Sequence, residues 1–424
     1  MRSIRPLPCS PDVFCVFDSI VAAQSIKLKI LMLNYEYPPL GGGGGVIHRH
    51  IAEELATRHD VTVLTSRART LPRFEVVGGV KVHRVNVLGR ESKATASLVS
   101  MLSYFPASLN AGQKLINKIK PDLINSHFAI PTGPSAVMLA RRNRIPHVLS
   151  IHGGDIYDPS KRLSPHRTPG LHQTVGWVLR KADHVAAQSE NTADNARRIY
   201  GYEKEITIIP HGLKQPLSPP FSRKELGLTD DQIVLVTVGR LIARKANHQL
   251  IEILSRINNP NLVLVLLGEG PAKTPLLDLA KRLRVENQIM MPGFVSEERK
   301  YQYLQAADIF VSTTGHEGFG LMYVEGMFCR LPIVTYDHGG QTDFLVDGKT
   351  GFLVHLNDQD AFRQRLEWLI QKPEIRKTIG DYNLALSRRF TAEHCAFRYE
   401  CMFNEIVLAQ RNGDGGRPTS RSAQ

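Results

Sequence analysis

Two glutamates eight positions apart frame a turn that could bind a sugar diphosphate. Glu317 lies in the glycine-rich segment 315–320, and Glu325 lies in the helix-like segment that follows it. If the stretch between them is mostly helical, the carboxylates are about 12 Å apart, comparable to a bound sugar diphosphate. The apolar run 308–311 before the loop is typical of a buried parallel strand. A strand that ends in glycines and opens a helix presents unpaired N–H groups, so this stretch can bind an anion.

Two cations follow a second apolar run. Arg240 and Lys245 lie five positions apart, just after the predicted strand 233–238. From a strand-to-helix turn both side chains can reach one diphosphate, because Arg offers a planar fork of donors and Lys a compact charge. The chemistry that needs such a pair is departure of a nucleotide diphosphate.

The amino-terminal half also contains a candidate phosphate loop. Five glycines, residues 41–45, separate a predicted strand (27–34) from a predicted helix (46–58). Glycine lets backbone N–H groups approach a phosphate closely. A dinucleotide-binding fold would also place an acidic residue after the second strand, but Ser66 and Arg67 stand there. A dehydrogenase is therefore disfavoured.

A histidine follows a further strand of this half. His152 comes directly after the predicted strand 147–151 and begins the stretch His-Gly-Gly-Asp, which ends at Asp155. Ligands of open α/β sheets bind at the carboxyl ends of strands, so His152 is a candidate for contact with substrate. His127 follows another strand. It could be structural or could contact the acceptor, and the sequence leaves both roles open.

Together these stretches resemble the retaining glycosyltransferases of glycosyltransferase family 4, also called group 1. The segment from Glu317 to Glu325 resembles the family's Glu-x7-Glu motif, Arg240 and Lys245 its GR-x4-K signature, and residues 152–155 its HGxD segment. The resemblance covers residues 27 to about 410. It implies an α/β protein of the GT-B fold, with two Rossmann-like domains whose parallel sheets face a central cleft. It also implies a last helix that crosses back to the first domain.

The resemblance also implies roles for residues. Glu317 would face the donor sugar, Glu325 would bind the nucleotide ribose, and His152 would contact the donor sugar at the reaction centre. Arg240 and Lys245 would neutralise the leaving diphosphate. The remaining donor-binding residues implied in this way are Gly44, Gly45, Asp155, Phe294, Val295, Gly318, Phe319, Gly320 and Leu321. His211 stands where the family usually has Asn.

Length and composition predict two domains, since 424 residues exceed what one core usually holds. The proline-rich segment 213–222 lacks periodicity and is predicted to be the linker. We expect a disordered extension (1–26), an acceptor domain (27–212), a nucleotide-sugar domain (223–388), a helix returning to the first domain (389–411) and a disordered tail (412–424).

The net charge of +13 lies mostly in residues 1–212. This excess favours either an anionic partner, such as a membrane surface or a phosphorylated lipid, or simply a solvated surface. No basic run is interleaved with aromatic residues, so nucleic acid is disfavoured. The basic amphipathic segment 91–120, predicted to be a helix interrupted near Pro106, could lie on a membrane or on the protein's own sheet.

The cysteines and apolar runs indicate the compartment. Five cysteines without metal-ligand spacing suit a reducing cytosol. The apolar run 262–267 is far too short to span a membrane, and Asp18 and early prolines disfavour a signal peptide in residues 1–26. We therefore expect a cytoplasmic protein, either free or bound peripherally to the inner face of the membrane.

No metal or other cofactor is expected. Asp358 and Asp360 spell a DxD pattern, but they precede a predicted helix and are better explained as helix capping. We therefore predict a hexosyltransferase that moves a sugar from a nucleotide-diphosphate sugar to a hydroxyl acceptor, such as a glycolipid, polysaccharide or small glycoside. The alternatives are a GT-B epimerase or phosphorylase, and a membrane-docking binding protein with a degenerate donor site.

Overall fold

Two β-sheets organise the part of the chain that the structure describes. The structure is a computed structural model that describes residues 26–90, 97–160, 163–215 and 219–414. Most of the predicted extension, the end of the predicted tail and the middle of the predicted linker lie outside these ranges. The predicted helical segment 91–120 is described from residue 97 onward.

Eight strands form the first sheet. They are β1 (Lys29–Leu33), β2 (Asp60–Arg67), β3 (Phe74–Val77), β4 (Val80–Asn86), β5 (Leu123–His127), β6 (His147–Ile151), β7 (His184–Ala187) and β8 (Ile206–Ile208). Their spatial order is β3-β4-β2-β1-β5-β6-β7-β8, and only the edge strand β3 runs antiparallel to its neighbour. The central strands β5 and β6 are buried at every residue, as expected for parallel strands covered on both faces.

Five helices connect these strands. They are α1 (Gly43–Ala56), α2 (Leu98–Ile119), α3 (Gly133–Asn143), α4 (Pro169–Lys181) and α5 (Glu190–Tyr200). Serines cap two of them: the Ser97 side chain accepts from the Ser100 N–H at the start of α2, and the Ser189 side chain accepts from the Thr192 N–H at the start of α5. Such caps satisfy backbone donors that the helix itself leaves unpaired.

A second, wholly parallel sheet has six strands. They are β9 (Ile233–Val238), β10 (Leu262–Leu267), β11 (Ile289–Gly293), β12 (Ile309–Ser312), β13 (Ile333–Tyr336) and β14 (Gly351–Val354). Their order is β11-β10-β9-β12-β13-β14. The helices of this half are α6 (Asn247–Leu254), α7 (Lys273–Arg282), α8 (Glu297–Ala306), α9 (Leu321–Phe328), α10 (Gln359–Gln371) and α11 (Pro373–Ser387). Asp358 caps α10 by accepting from the Ala361 N–H, which confirms the capping explanation of the DxD pattern.

The last helix, α12 (Ala392–Asp414), crosses back to the first domain, as predicted. Its Glu400 carboxylate accepts from the Arg58 guanidinium at 2.7 Å and contacts His59 Nε2 at 3.1 Å. The Tyr399 hydroxyl lies 3.0 Å from the Ser150 hydroxyl in β6. These contacts connect the end of the chain to the first sheet.

Two details of the predicted helices were wrong. Helix α2 runs through Pro106 without interruption. Proline removes the N–H that would pair with the Leu102 carbonyl, and Leu102 is 66% exposed, so this turn of the helix faces solvent. Helix α1 begins at Gly43, inside the glycine run rather than after it. Glycine disfavours the helix interior but is tolerated at a helix start.

The two sheets face each other across a cleft at their carboxyl edges. Gly43 follows β1, and a Cβ built on it would lie 3.3 Å from the side chain of Leu321, which follows β12. Gly153 follows β6 and approaches the Gly318 backbone. The loops predicted to bind the donor therefore meet loops of the first domain.

Candidate active site

The loop between β12 and α9 is built around a left-handed glycine. Gly320 caps α9 with φ 92°, and a Cβ there would lie 2.5 Å from the Tyr323 ring, so only glycine fits. The helix begins at the next residue, and its first N–H groups have no partner within the helix. The loop thus turns the positive end of α9 toward the cleft.

Glu317 lies in this loop and is held by three side chains. Its Oε1 accepts from Lys245 Nζ at 2.8 Å and from Arg244 Nη1 at 3.0 Å. The Thr314 hydroxyl donates to the same oxygen at 3.0 Å. Burial alone would raise the pKa of Glu317, but Lys245 and Arg244 outweigh burial and lower the pKa below its ordinary value. The carboxylate is therefore ionised at neutral pH.

The two predicted cations lie at the carboxyl end of β9. Lys245 folds back over Gly239, so that a Cβ on Gly239 would lie 3.1 Å from Lys245 Cε. Its Nζ also lies 3.1 Å from the Met322 sulfur, in the first turn of α9. Arg240 follows Gly239 directly and is exposed. One positive charge is thus fixed beside the helix start, and the other extends into solvent nearby.

Glu325 lies further along α9, is 8% exposed, and pairs with a lysine that the motif did not indicate. Lys300 Nζ is 2.6 Å from Glu325 Oε1 and 2.7 Å from Glu297 Oε2. Burial raises the pKa of Glu325, and the Lys300 ion pair offsets this only in part. Burial would lower the pKa of Lys300, but the two carboxylates outweigh it and raise the pKa.

The predicted base-binding loop follows β11. Phe294 is 86% exposed and Val295 is half-buried. Gly293, just before them, lies so close to Glu269 that a Cβ would be 2.5 Å from Glu269 Oε1. Phe294 therefore extends into solvent, and its loop lies beside the turn after β10.

The glycine run lies across the cleft from α9. Gly44 and Gly45 are in the first turn of α1, and a Cβ on Gly44 would lie 2.4 Å from the Phe128 ring. Gly43, rather than either of them, is the residue that approaches Leu321. Phe128 lies just beyond β5 and was not identified from the sequence.

Asp155 supports the loop that carries His152. Its Oδ1 accepts from the His152 N–H at 2.9 Å, and its Oδ2 accepts from the Ala129 N–H at 2.6 Å. Asp155 is 5% exposed. Through these two bonds it connects the ends of β5 and β6.

His152 is the third member of a row of four histidines, which also contains His48, His127 and His211. The rings of His48 and His127 lie 4.3 Å apart, and His127 Nδ1 is 2.9 Å from His152 Nε2. His152 Nδ1 is in turn 3.2 Å from His211 Nε2. The His211 ring then packs edge-on against Phe319, in the loop between β12 and α9 (called the donor loop below), with 5.4 Å between the ring centres. Because a neutral imidazole has one N–H and one acceptor nitrogen, the two hydrogen bonds must point in the same direction along the row.

Two family models match this chain. One, described as "Glycosyl transferase 4-like domain", matches residues 42–212, and the other, "Glycosyl transferases group 1", matches residues 219–385. Together they cover both sides of the cleft. The chain belongs to the group 1 glycosyltransferases. This confirms the family predicted from the motifs.

This glycosyltransferase is similar to proteins of several activities. It is 23% identical over 402 residues to N-acetyl-α-D-glucosaminyl L-malate synthase of Bacillus anthracis, a match that covers 92% of this chain and 100% of the relative. Its fold is similar to that of sucrose-phosphate synthase from Thermosynechococcus elongatus, with TM-score 0.78, 21% identity and coverage of 90% and 100%. It is also similar to Anabaena HepE in complex with UDP-glucose, with TM-score 0.68, 20% identity and coverage of 91% and 100%. These similarities confirm the predicted GT-B fold.

Direct contacts join the two domains of the glycosyltransferase beside the donor loop. The Ser189 hydroxyl donates to the Gly318 carbonyl at 2.7 Å. The Glu190 N–H, at the start of α5, donates to Asp343 Oδ2 at 2.6 Å. Burial is the main cause that raises the pKa of Asp343 to about 6. The backbone of the donor loop is thus held by the first domain as well as by its own.

Four side chains at the site had no signal in the motifs. Arg244 lies one position before the predicted Lys245, and only the structure reveals that it pairs with Glu317. Lys300 lies on α8, outside every motif. His48 lies on α1, and Phe128 has a positive φ of 70° that bulky residues seldom adopt.

Among the described residues, no group of three or more His, Cys, Asp or Glu side chains could hold a metal ion. None of the described helices combines the length and apolar composition needed to cross a bilayer.

The buried histidines predict that the glycosyltransferase loses stability in mild acid. Burial lowers the pKa of His48, His147 and His152 to about 3, and it lowers the pKa of His127 and His211 well below the ordinary value. The unfolded chain binds protons below about pH 6.5 while the folded chain does not, so acid favours unfolding. We expect the free energy of unfolding to fall by about 1.4 kcal/mol per pH unit for each such histidine between about pH 6 and pH 4.

Urea unfolding at pH 7.5, 6.0 and 5.0 measures this dependence. His48→Gln removes one of the titrating rings, so its curve of stability against pH should be shallower than that of the wild type. Equal stability of the wild type at pH 7.5 and pH 5.0 would contradict the prediction.

Proposed function

We propose that this glycosyltransferase moves a hexosyl group from a nucleotide-diphosphate sugar to a hydroxyl acceptor, with retention of the anomeric configuration. The observation that carries the proposal is that Lys245, Arg244 and Glu317 meet at the start of α9. A diphosphate at this point would meet positive charge and free helix N–H groups together. Electrostatic stabilisation of a leaving group is often the largest contribution to catalysis.

Each predicted residue takes a role consistent with its surroundings. Arg240 and Lys245 neutralise the diphosphate, and Glu325 accepts hydrogen bonds from the ribose. Glu317 and His152 face the donor sugar from opposite domains. The nucleotide base lies against the exposed loop at Phe294 and Val295, where backbone groups are accessible.

The surroundings of Glu317 support retention without a glycosyl-enzyme intermediate. Retaining glycosidases use a carboxylate as the nucleophile. In Glu317, the Oε1 atom instead accepts from Lys245, Arg244 and Thr314, and these contacts lower the nucleophilicity of the carboxylate. We therefore propose that the diphosphate leaves and the acceptor hydroxyl attacks on the same face of the sugar.

The similar proteins support the two substrates. HepE was solved with UDP-glucose, which favours a nucleotide-sugar donor. The name of the Bacillus anthracis relative includes L-malate, a hydroxy acid, which favours a hydroxyl acceptor. A lipid-linked acceptor and contact with an anionic membrane stay predictions from the charge distribution, and a cytoplasmic location stays a prediction from the cysteines and the short apolar runs.

Thermal stabilisation tests the donor. UDP-, GDP- and ADP-glucose are added in turn, and one of them should raise the melting temperature because it binds only the folded protein. With that donor, nucleotide diphosphate should be released only when an acceptor hydroxyl is present, and NMR should detect the starting anomer in the product. Release that does not require an acceptor would favour an epimerase or a hydrolase. Stabilisation by none of the sugars would favour a binding protein with a degenerate site.

Removal of divalent metal ions tests the proposal that protein cations replace a metal. A chelator should leave the rate of transfer unchanged within about twofold, because Arg240 and Lys245 already neutralise the diphosphate. A strict requirement for added Mg²⁺ or Mn²⁺ would contradict this.

A further inference from the structure

Arg90 is a buried guanidinium without a hydrogen-bond or ion-pair partner among the described residues. It is 4% exposed, and its Nε, Nη1 and Nη2 atoms are all buried and make no hydrogen bond within the described structure. The comparison is Arg84, the other buried arginine among the described residues, which is also 4% exposed. Arg84 forms an ion pair with Glu75 and donates to the Pro38 carbonyl at 3.0 Å. Of these two arginines, Arg90 is the one without a carboxylate partner in the part of the chain that the structure describes.

An unpaired buried guanidinium is unfavourable. A charge taken out of water costs several kcal/mol unless it is paired. Lysine and histidine can lose their proton in such a site, but arginine cannot. A buried polar group without a partner therefore calls for an explanation, and a bound anion is the simplest one.

Arg90 lies where substrates of this fold bind. It follows β4, and its guanidinium carbon lies 4.3 Å from the centre of the Tyr35 ring, which follows β1. Both residues are at the carboxyl edge of the first sheet, the edge where ligands of α/β sheets bind. The glycine run and His152 lie at the same edge. The donor site is built on the opposite domain, so this side is left for the acceptor.

The ring beneath Arg90 is fixed in place. The Tyr35 hydroxyl is 2.6 Å from the Ser100 hydroxyl, and the Tyr35 N–H donates to Thr132 Oγ1 at 3.2 Å. Tyr104 packs edge-on against the ring at 5.3 Å. A guanidinium stacked on a fixed ring keeps its N–H donors in one plane, the arrangement that binds carboxylate or phosphate with two parallel hydrogen bonds.

We propose that Arg90 binds a carboxylate or phosphate group of the acceptor, so that this glycosyltransferase glycosylates a hydroxyl of an anionic compound. The inference rests on the proposed function, because it assigns the acceptor's chemical class. The anion belongs either to a small soluble hydroxy acid or to the phosphorylated headgroup of a lipid. The positive charge concentrated in residues 1–212 would attract either one.

Matched acceptors test the proposal with the full chain. Nucleotide-diphosphate release from the stabilising donor is measured with sn-glycerol 3-phosphate and glycerol, and with L-malate and butane-1,2,4-triol. Vesicles of phosphatidylcholine with and without phosphatidylinositol supply the lipid form. We expect release with at least one anionic compound and little with its neutral counterpart. If only the vesicles with phosphatidylinositol stimulate release, and neither soluble anion does, the anionic group belongs to a lipid headgroup.

Three variants separate a specific site from general charge. Arg90→Met should lower kcat/KM for the anionic acceptor about 30-fold or more, because a buried charge pair is lost. Arg90→Lys keeps the charge but not the planar fork, so it should retain part of the activity. Arg69→Met removes the same charge at an exposed position of the same half and should have little effect.

Donor binding keeps the two hypotheses distinguishable. Stabilisation of each variant by UDP, GDP or ADP, whichever belongs to the stabilising donor, reports on the donor site and on folding. If none of the three stabilises the wild type, the result counts against the proposed function alone. If Arg90→Met does not fold, Arg90→Lys provides the comparison with the wild type. The acceptor proposal is overturned if no anionic compound stimulates the wild type, if both Arg90 variants keep full activity, or if Arg69→Met loses as much as they do.

Discussion

Replacing Lys245 by alanine should lower kcat/KM for sugar transfer by about 100- to 1,000-fold, and replacing Arg240 as well should lower it further. The expected size is that of a lost oxyanion donor in other enzymes. The Lys245 side chain is 13% exposed and lies between Glu317 and the first turn of α9. A cation from solvent therefore cannot readily replace its charge when the side chain is removed. Arg240 is exposed, so its replacement alone should have the smaller effect.

Stopped-flow or steady-state release of nucleotide diphosphate measures this loss. Lys281→Ala, at an exposed position of α7 in the same domain, is the matched control for removing one positive charge. Because Lys245 also pairs with Glu317, the variants Lys245→Met and Glu317→Gln should be combined in a double-mutant cycle. Near-normal turnover of the Arg240 and Lys245 double variant would remove this pair from the mechanism.

Replacing Glu325 by alanine should raise the dissociation constant of the donor about 10- to 100-fold, with a smaller change in kcat. The reason is the loss of a hydrogen bond from the ribose to the Glu325 carboxyl group, worth about 1.5–3 kcal/mol. The variant also leaves Lys300 without one of its two carboxylate partners. Glu325→Gln keeps the shape of the side chain and should have an intermediate effect.

Calorimetric titration with the nucleoside diphosphate measures this affinity. Glu298→Gln, at an exposed position in the first turn of α8, is the control for removing a negative charge near the same helices. An unchanged donor dissociation constant in Glu325→Ala would show that the residue does not contact the nucleotide.

Both variants affect parts of the site that the sequence made visible. The apolar run before the loop, the glycines and the two glutamates lie within about twenty positions, so a local pattern could reveal a strand, a turn and a helix. Gly320 illustrates why this works. Its left-handed backbone and its closeness to Tyr323 exclude any side chain, and this requirement lies within three residues of chain.

The ion pairs of the site were not visible in this way. Lys300 meets Glu325 because α8 and α9 pack together, and Arg244 meets Glu317 across 73 positions. No periodicity or spacing indicates which of many lysines and arginines will be buried beside a given carboxylate. The motif therefore identified Lys245 but not Arg244, although both contact the same oxygen.

One helix also differed from its prediction, because its surroundings in the folded protein decided whether a proline would break it. Pro106 was predicted to interrupt a helix, since proline removes a hydrogen bond. Leu102, whose carbonyl loses that bond, lies on an exposed turn of the helix, and exposure is a property of the folded molecule.

The sequence by itself was enough to predict the family and, through the family resemblance, the GT-B fold and the residues proposed to bind the donor, because the motifs that carry the resemblance are short and local. Only the tertiary structure decided that His48, His127, His152 and His211 form one row, and that Arg90 is buried without a hydrogen-bond partner among the described residues. Those residues come from separate elements of the first domain. Their contacts depend on how helices and strands pack, and packing between distant segments leaves no pattern in a single sequence.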